Sequence, residues 1–155
     1  MRRALAFLSI LGLLALALAA AGCGGDDGGG GDRLTKAEYA AQANEICADF
    51  NAKIEDLGTP ENMEQLADFT EKAIPIFEDG ISDLRALNPP EELQATVDRW
   101  LESADVALER IRRVLEAAQD GDEAAVGRLS QEAEAAEKGS DALARQIGAN
   151  TCAEN

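Results

Sequence analysis

The three cysteines are the residues of this chain best suited to chemistry, and each stands in its own setting. Cys23 directly follows the small residues Ala19-Ala20-Ala21-Gly22. They close an apolar run, Ala4 to Ala21, that begins after Arg2 and Arg3. A positive start, an apolar stretch and small residues together form an export signal. A cysteine straight after the small residues adds the pattern read by a lipoprotein signal peptidase: its thiol is joined to diacylglycerol, and cleavage makes Cys23 the new N-terminus. Ala20 stands where leucine is more usual. Two other readings compete. The apolar run is 18 residues, near the lower limit for an uncleaved spanning helix. Ala19-x-Ala21 also suits an ordinary signal peptidase, which would release a secreted protein. Neither explains a cysteine at this position followed at once by a glycine-rich tether. The expectation is a bacterial lipoprotein, lipid-anchored at Cys23 on the outer face of the cell membrane, with a secreted form as the alternative.

With Cys23 lipidated, Cys47 and Cys152 are left in an oxidising compartment. A bridge between them closes a loop of about 100 residues, for which the chain-entropy model gives roughly 4–5 kcal/mol. A reactive pair would want a C-x-x-C spacing or a neighbouring base, and neither is present, so a structural disulfide is expected. Cys47 should sit about three turns into its helix, while Cys152 lies beyond Gly148. Bridging therefore requires either a tail that folds back along the bundle or a last helix that runs on past Gly148.

Other chemistry is thin. The chain has no histidine, which removes the commonest general base, the usual triads, most zinc sites and the Glu-x-x-His motif of di-iron bundles. Asp120-Gly121-Asp122-Glu123 has the composition of a calcium loop without its ligand spacing or closing glutamate, so a turn and helix cap are expected there. No glycine-rich phosphate loop follows a strand, because no segment reads as a strand. No catalytic residue, metal site or cofactor is expected, and the chain reads as a non-enzyme. A hydrolase built on two carboxylates ranks last, since it needs a cleft that a slim bundle seldom provides.

The charge narrows the partners. Without Arg2 and Arg3 the mature chain carries 12 basic against 30 acidic side chains, a formal charge of −18. That excludes nucleic acid and argues against docking on anionic lipid through the protein surface. Much of the acidity serves the helices. Glu38, Glu61, Glu64, Glu91, Glu92 and Glu123 fall near predicted helix starts, where the macrodipole favours them. Asp68/Lys72, Glu109/Arg113, Glu134/Lys138 and Asp141/Arg145 are i,i+4 pairs in the favourable order.

These residues need elements to position them. Residues 1–22 read as the signal, and 23–33 as the lipidated cysteine and linker. Six glycines and three aspartates fill Gly24 to Asp32, a coil spanning roughly 15–18 Å, so the domain stays close to the lipid surface. Residues 34–155 read as one domain. Thr35-x-x-Glu38 is a capping box with Leu34 and Tyr39 as staple. Tyr39, Ala43, Ile46, Phe50, Ile54 and Leu57 carry the first stripe, which Gly58 ends. Thr59-Pro60 signals a restart before Met63, Leu66, Thr70, Ala73, Phe77, Leu84 and Leu87. Pro75 and Gly80 interrupt this second stripe and predict a kink or break. Asn88-Pro89-Pro90 stops it. Leu93, Val97, Trp100, Ala104, Leu108, Ile111, Leu115 and Ala118 form the cleanest stripe. After a turn capped by Asp122, Val126, Leu129, Ala133, Ala136, Leu143 and Ile147 lead to Gly148. Four amphipathic helices with short connections predict an all-α, antiparallel up-down-up-down four-helix bundle with a kinked second helix. Tyr39 and Trp100 belong to its core.

Leu34-Thr35-Lys36-Ala37-Glu38-Tyr39, Ala43-Asn44-Glu45-Ile46-Cys47, Pro89-Pro90 and the closing Gly-x-x-x-Cys of Gly148 to Cys152 resemble a group of small extracytoplasmic lipoproteins of actinobacteria. The match covers about Leu34 to Cys152. It implies export, a helical fold and the distant bridge, and it lends no catalytic or binding residue. The expected function is a non-enzymatic binding or interaction module of the cell envelope, held at the membrane by lipid, with an envelope protein or ligand as partner. The alternative is a small-ligand or cation carrier, suggested by the interruption at Pro75 and Gly80 and by the negative charge.

Overall fold

A computed structural model describes residues 33–153; the signal, Cys23 and the linker up to Asp32 lie outside these, as do the last two residues. The domain is an all-α bundle of four helices, α1 (Lys36–Asp56), α2 (Met63–Ala86), α3 (Gln94–Gln119) and α4 (Glu123–Ile147). Short 3-10 turns cover Glu91–Leu93 and Asn150–Ala153, and there is no strand among the described residues.

The start of α1 forms as its sequence directs. Thr35 accepts from the Glu38 backbone N–H, and the Glu38 carboxylate accepts from the Thr35 backbone N–H at 2.9 Å, so two otherwise orphaned donors are satisfied reciprocally. Ahead of this cap the Leu34 N–H donates to Asn88 O at 2.9 Å. The Arg33 guanidinium donates to Pro89 O and Gln94 Oε1 at 2.8 and 3.0 Å. The chain is therefore clipped to the α2–α3 connection before α1 begins, and Arg33, read as linker, makes contacts of the domain.

The second helix differs from the sequence reading in its start, and of a kink or a break at Pro75 it excludes the break. It starts at Met63 and not after Thr59-Pro60: Asn62 accepts from the Gln65 N–H, while the Gln65 side chain takes the Glu61 N–H. This reciprocal cap satisfies two donors, which the proline-led start would not. The helix then continues without a break from Met63 to Ala86 with Pro75 inside it. Gly80 marks a crossing instead of an interruption. A Cβ placed there would lie 3.4 Å from Phe50 Cδ2, and the Phe50 and Phe77 rings meet edge to face at 4.7 Å. Thr70, buried in α2, bonds its hydroxyl back to Leu66 O at 2.7 Å, so its burial leaves no donor stranded.

Asp122 caps α4 by accepting from the Ala125 N–H at 2.9 Å, and Gly148 ends it at φ +86°, where a residue without Cβ is least strained. Arg85 on α2 pairs with Asp105 on α3, and Glu78 with Arg112. As the number falls along one helix it rises along the other, the pairing of helices that run in opposite directions.

The main core lies at the end of the bundle that holds Arg33, the two prolines and the close of α4. It joins Tyr39, Ala43 and Cys47 to Leu84, Leu93, Val97 and Trp100, and to Ala144, Ile147, Ala149 and Ala153. α1 rests on α2 and on the Asn150–Ala153 turn, whereas α4 rests on α3 and on that same turn. The turn thus packs against both α1 and α4, and residues of both helices share the core. The middle of α4 lies away from this core. Every residue from Ser130 to Ala135 is exposed, including Ala133 of the expected stripe.

Candidate functional site

Of the three cysteines, Cys23 lies outside the described residues. Cys47 and Cys152 form a disulfide with their Cα atoms 5.2 Å apart, across 105 residues of sequence. The tail does fold back: α4 stops at Gly148, and the following turn runs along α1. Its placement does not depend on sulfur alone. Asn44 Nδ2 donates to Gly148 O at 3.0 Å, and Asn44 Oδ1 accepts from the Thr151 N–H at 2.8 Å. Asn51 Nδ2 reaches Thr151 O at 3.4 Å, and Arg145 donates to Ala153 O at 3.0 Å. Asn44, Cys47 and Asn51 stand at i, i+3 and i+7, one face of a helix. That spacing was readable beside the cysteine, and the reading of α1 as an apolar stripe passed over it.

Four described titratable groups depart from their ordinary values. Tyr39 is fully buried, and its hydroxyl has no hydrogen-bond partner. Burial, with the Asp98 carboxylate as a smaller cause, pushes its phenol up to about 12. A general acid or base works best with a pKa near the working pH, so Tyr39 remains a protonated core residue at neutral pH. Glu38 is held below the usual carboxylate range by its bonds to the Thr35 backbone and hydroxyl, which is the capping box seen from its acidic side. Lys53 and Arg112 are raised by hydrogen bonds, to Asp49 and to Glu78 and Glu109 respectively. All are exposed ion pairs, worth little to stability. Of the four i,i+4 pairs expected, Asp141 and Arg145 make an ion pair, at 3.5 Å, whereas Glu109 meets Arg112 at i+3.

Asp120 and Gly121 form a turn, Gly121 at φ +70°, and Asp122 is committed to its cap. Among the described residues no group of three or more His, Cys, Asp or Glu could hold a metal ion, and no helix is long and apolar enough to cross a membrane. Two shallow, open clefts lie between the helices of the described residues. One of about 370 Å³ lies between the end of α2 and the first half of α3, and another of about 250 Å³ between α1 and α2. The gap expected at Gly80, which motivated the carrier reading, is occupied by Phe50.

No protein-family model, curated protein or solved structure matches this chain.

Proposed function

We propose that the chain is an exported lipoprotein, anchored through Cys23 to the outer face of the cell membrane, whose helical domain is a non-enzymatic binding module of the envelope. The observation that carries this reading is the placement of Cys23. It directly follows an apolar run and four small residues and directly precedes a glycine-rich tether. The Cys47–Cys152 bond supports export, because structural disulfides persist in oxidising compartments and are rare in reducing ones. The likeness to small actinobacterial lipoproteins points the same way. A binding role fits a surface whose described carboxylates are capping, ion-paired or solvated, with open clefts between the helices.

The anchor is tested in the cells that make the protein. The wild-type chain should partition into the detergent phase and take up labelled fatty acid, and Cys23→Ser should accumulate as uncleaved precursor. Normal processing of Cys23→Ser to a soluble secreted protein would sink the anchor and favour the secreted alternative.

A further inference from the structure

Two clefts meet at Leu87, the residue that closes α2. On the α3 side Leu87, Val97 and Leu101 supply the apolar lining, bordered by Asp98, Glu102 and Asp105. On the α1 side the apolar residues are Leu87 and Ile46, bordered by Glu45, Asp49 and Asp83. Six carboxylates thus edge one apolar strip, with Arg85 the one cation among the lining residues. Arg85 is paired with Asp105, and Lys53, next to the second cleft, with Asp49. Glu45 and Glu102 make no ion pair or hydrogen bond among the described residues.

We propose that this double cleft is the docking surface of the module, and that its partner is a basic amphipathic protein segment, apolar along one side and rich in lysine and arginine on the other. The inference rests on reading the domain as a binding module and adds where and what it binds. Charge complementarity selects the occupant. A field of one sign speeds encounter with the opposite sign and repels nucleic acid and acidic partners. A metal ion fits less well, because the carboxylates are spread over three helices and do not converge. The apolar strip then supplies what charge alone does not, since burying it removes hydrocarbon from water. Rim carboxylates in contact with solvent steer and orient, each contributing modestly.

The test uses the full-length chain in the cells that produce it, with a benzophenone amino acid placed in turn at Glu102, Glu45 and, as a remote site, Glu132 on the exposed stretch of α4. Adducts at Glu102 and Glu45 that map to Lys/Arg-rich amphipathic peptides are the expected result. Glu45→Gln in the chain carrying the probe at Glu102, and Glu102→Gln in the chain carrying the probe at Glu45, should each cut the yield by about two- to fivefold. Glu132→Gln with Glu134→Gln should leave it unchanged, and Trp100 fluorescence confirms that each variant is folded. Adducts at the cleft with neutral or acidic peptides, or a yield indifferent to the charge substitutions, overturn the proposal. Adducts at Glu132 but none at the cleft overturn the docking surface and leave the binding module standing. Adducts at none of the three positions remove both.

Discussion

Gly148 and Ala40 are packed so closely that a Cβ on the glycine would come within 3.0 Å of the alanine Cβ. The glycine also lies at φ +86°, so its missing side chain serves the end of α4 and the approach of α1 at once.

Substitutions at the positive-φ glycines should separate these two roles. Gly58→Ala and Gly121→Ala meet open space and should each cost about 1–2 kcal/mol of backbone strain. Gly148→Ala carries the same strain and the contact with Ala40, and should lower the melting temperature more than either. Equal losses at all three positions would mean that α1 yields freely at Ala40.

Gly127 and Gly139 are the converse. Both lie inside α4, and a Cβ at either would meet nothing within 4 Å. Replacing a helical glycine by alanine gains up to about 1 kcal/mol, so each alanine variant should melt a few degrees higher. Unchanged or lower melting would show that α4 gains nothing from a stiffer backbone.

Removing the disulfide as Cys47→Ser with Cys152→Ser should cost about 4–5 kcal/mol by loop entropy over its span, measured by denaturant titration. Asn44→Ala should cost about 1–3 kcal/mol, because Gly148 O and the Thr151 N–H lose their partner while partly buried. Asn44→Asp keeps the acceptor for Thr151 and should fall between wild type and Asn44→Ala. If Asn44→Ala is neutral, the disulfide alone places the tail.

Tyr39 sets an alkaline limit. Its folded pKa of about 12 lies above the ordinary 10, so between these values the folded chain keeps a proton that the unfolded chain has lost. Its contribution is full below about pH 10 and declines as pH rises toward 12, by on the order of 2–3 kcal/mol in all. Tyr39 is the only tyrosine, and phenolate absorbance follows it alone. Tyr39→Phe should abolish this part of the pH dependence. Because it removes a buried hydroxyl without a partner, it should also stabilise the protein at neutral pH by about 1 kcal/mol. A substantial loss of stability at neutral pH would reveal that the hydroxyl is bonded in solution.

The legible parts of this molecule were those decided by local chemistry. The capping box at Thr35 and Glu38, the Asp122 cap, the glycine at 148 and the alternation of apolar residues around Trp100 are each settled within one or two helical turns. The start of α2 was misread because Asn62 and Gln65 compete with Thr59-Pro60, and the winner depends on which cap satisfies more backbone donors. At Pro75 and Gly80 the stripe shows a gap and not what enters it, so it does not say whether the helix runs on, as it does. Phe50 comes from another helix and leaves no mark near Gly80 in the sequence. The exposure of Ala133 was hidden for the same reason, since period alone does not say how many neighbours a helix has. The candidate surface was the least legible. Leu87, Glu45 and Glu102 come together only through the packing of three helices.

The Asn150–Ala153 turn also makes the core a contact between distant parts of the chain. The face of α1 that holds Tyr39, Ala43 and Cys47 shares its core with Ile147, Ala149 and Ala153, and the bridge within it spans 105 residues. Helices α2 and α3 follow one another and can pair early, whereas that face of α1 must wait for a far larger loop to close. Docking of the turn on α1 is therefore the slow step of folding, and Cys47 stays open to oxidants until it happens.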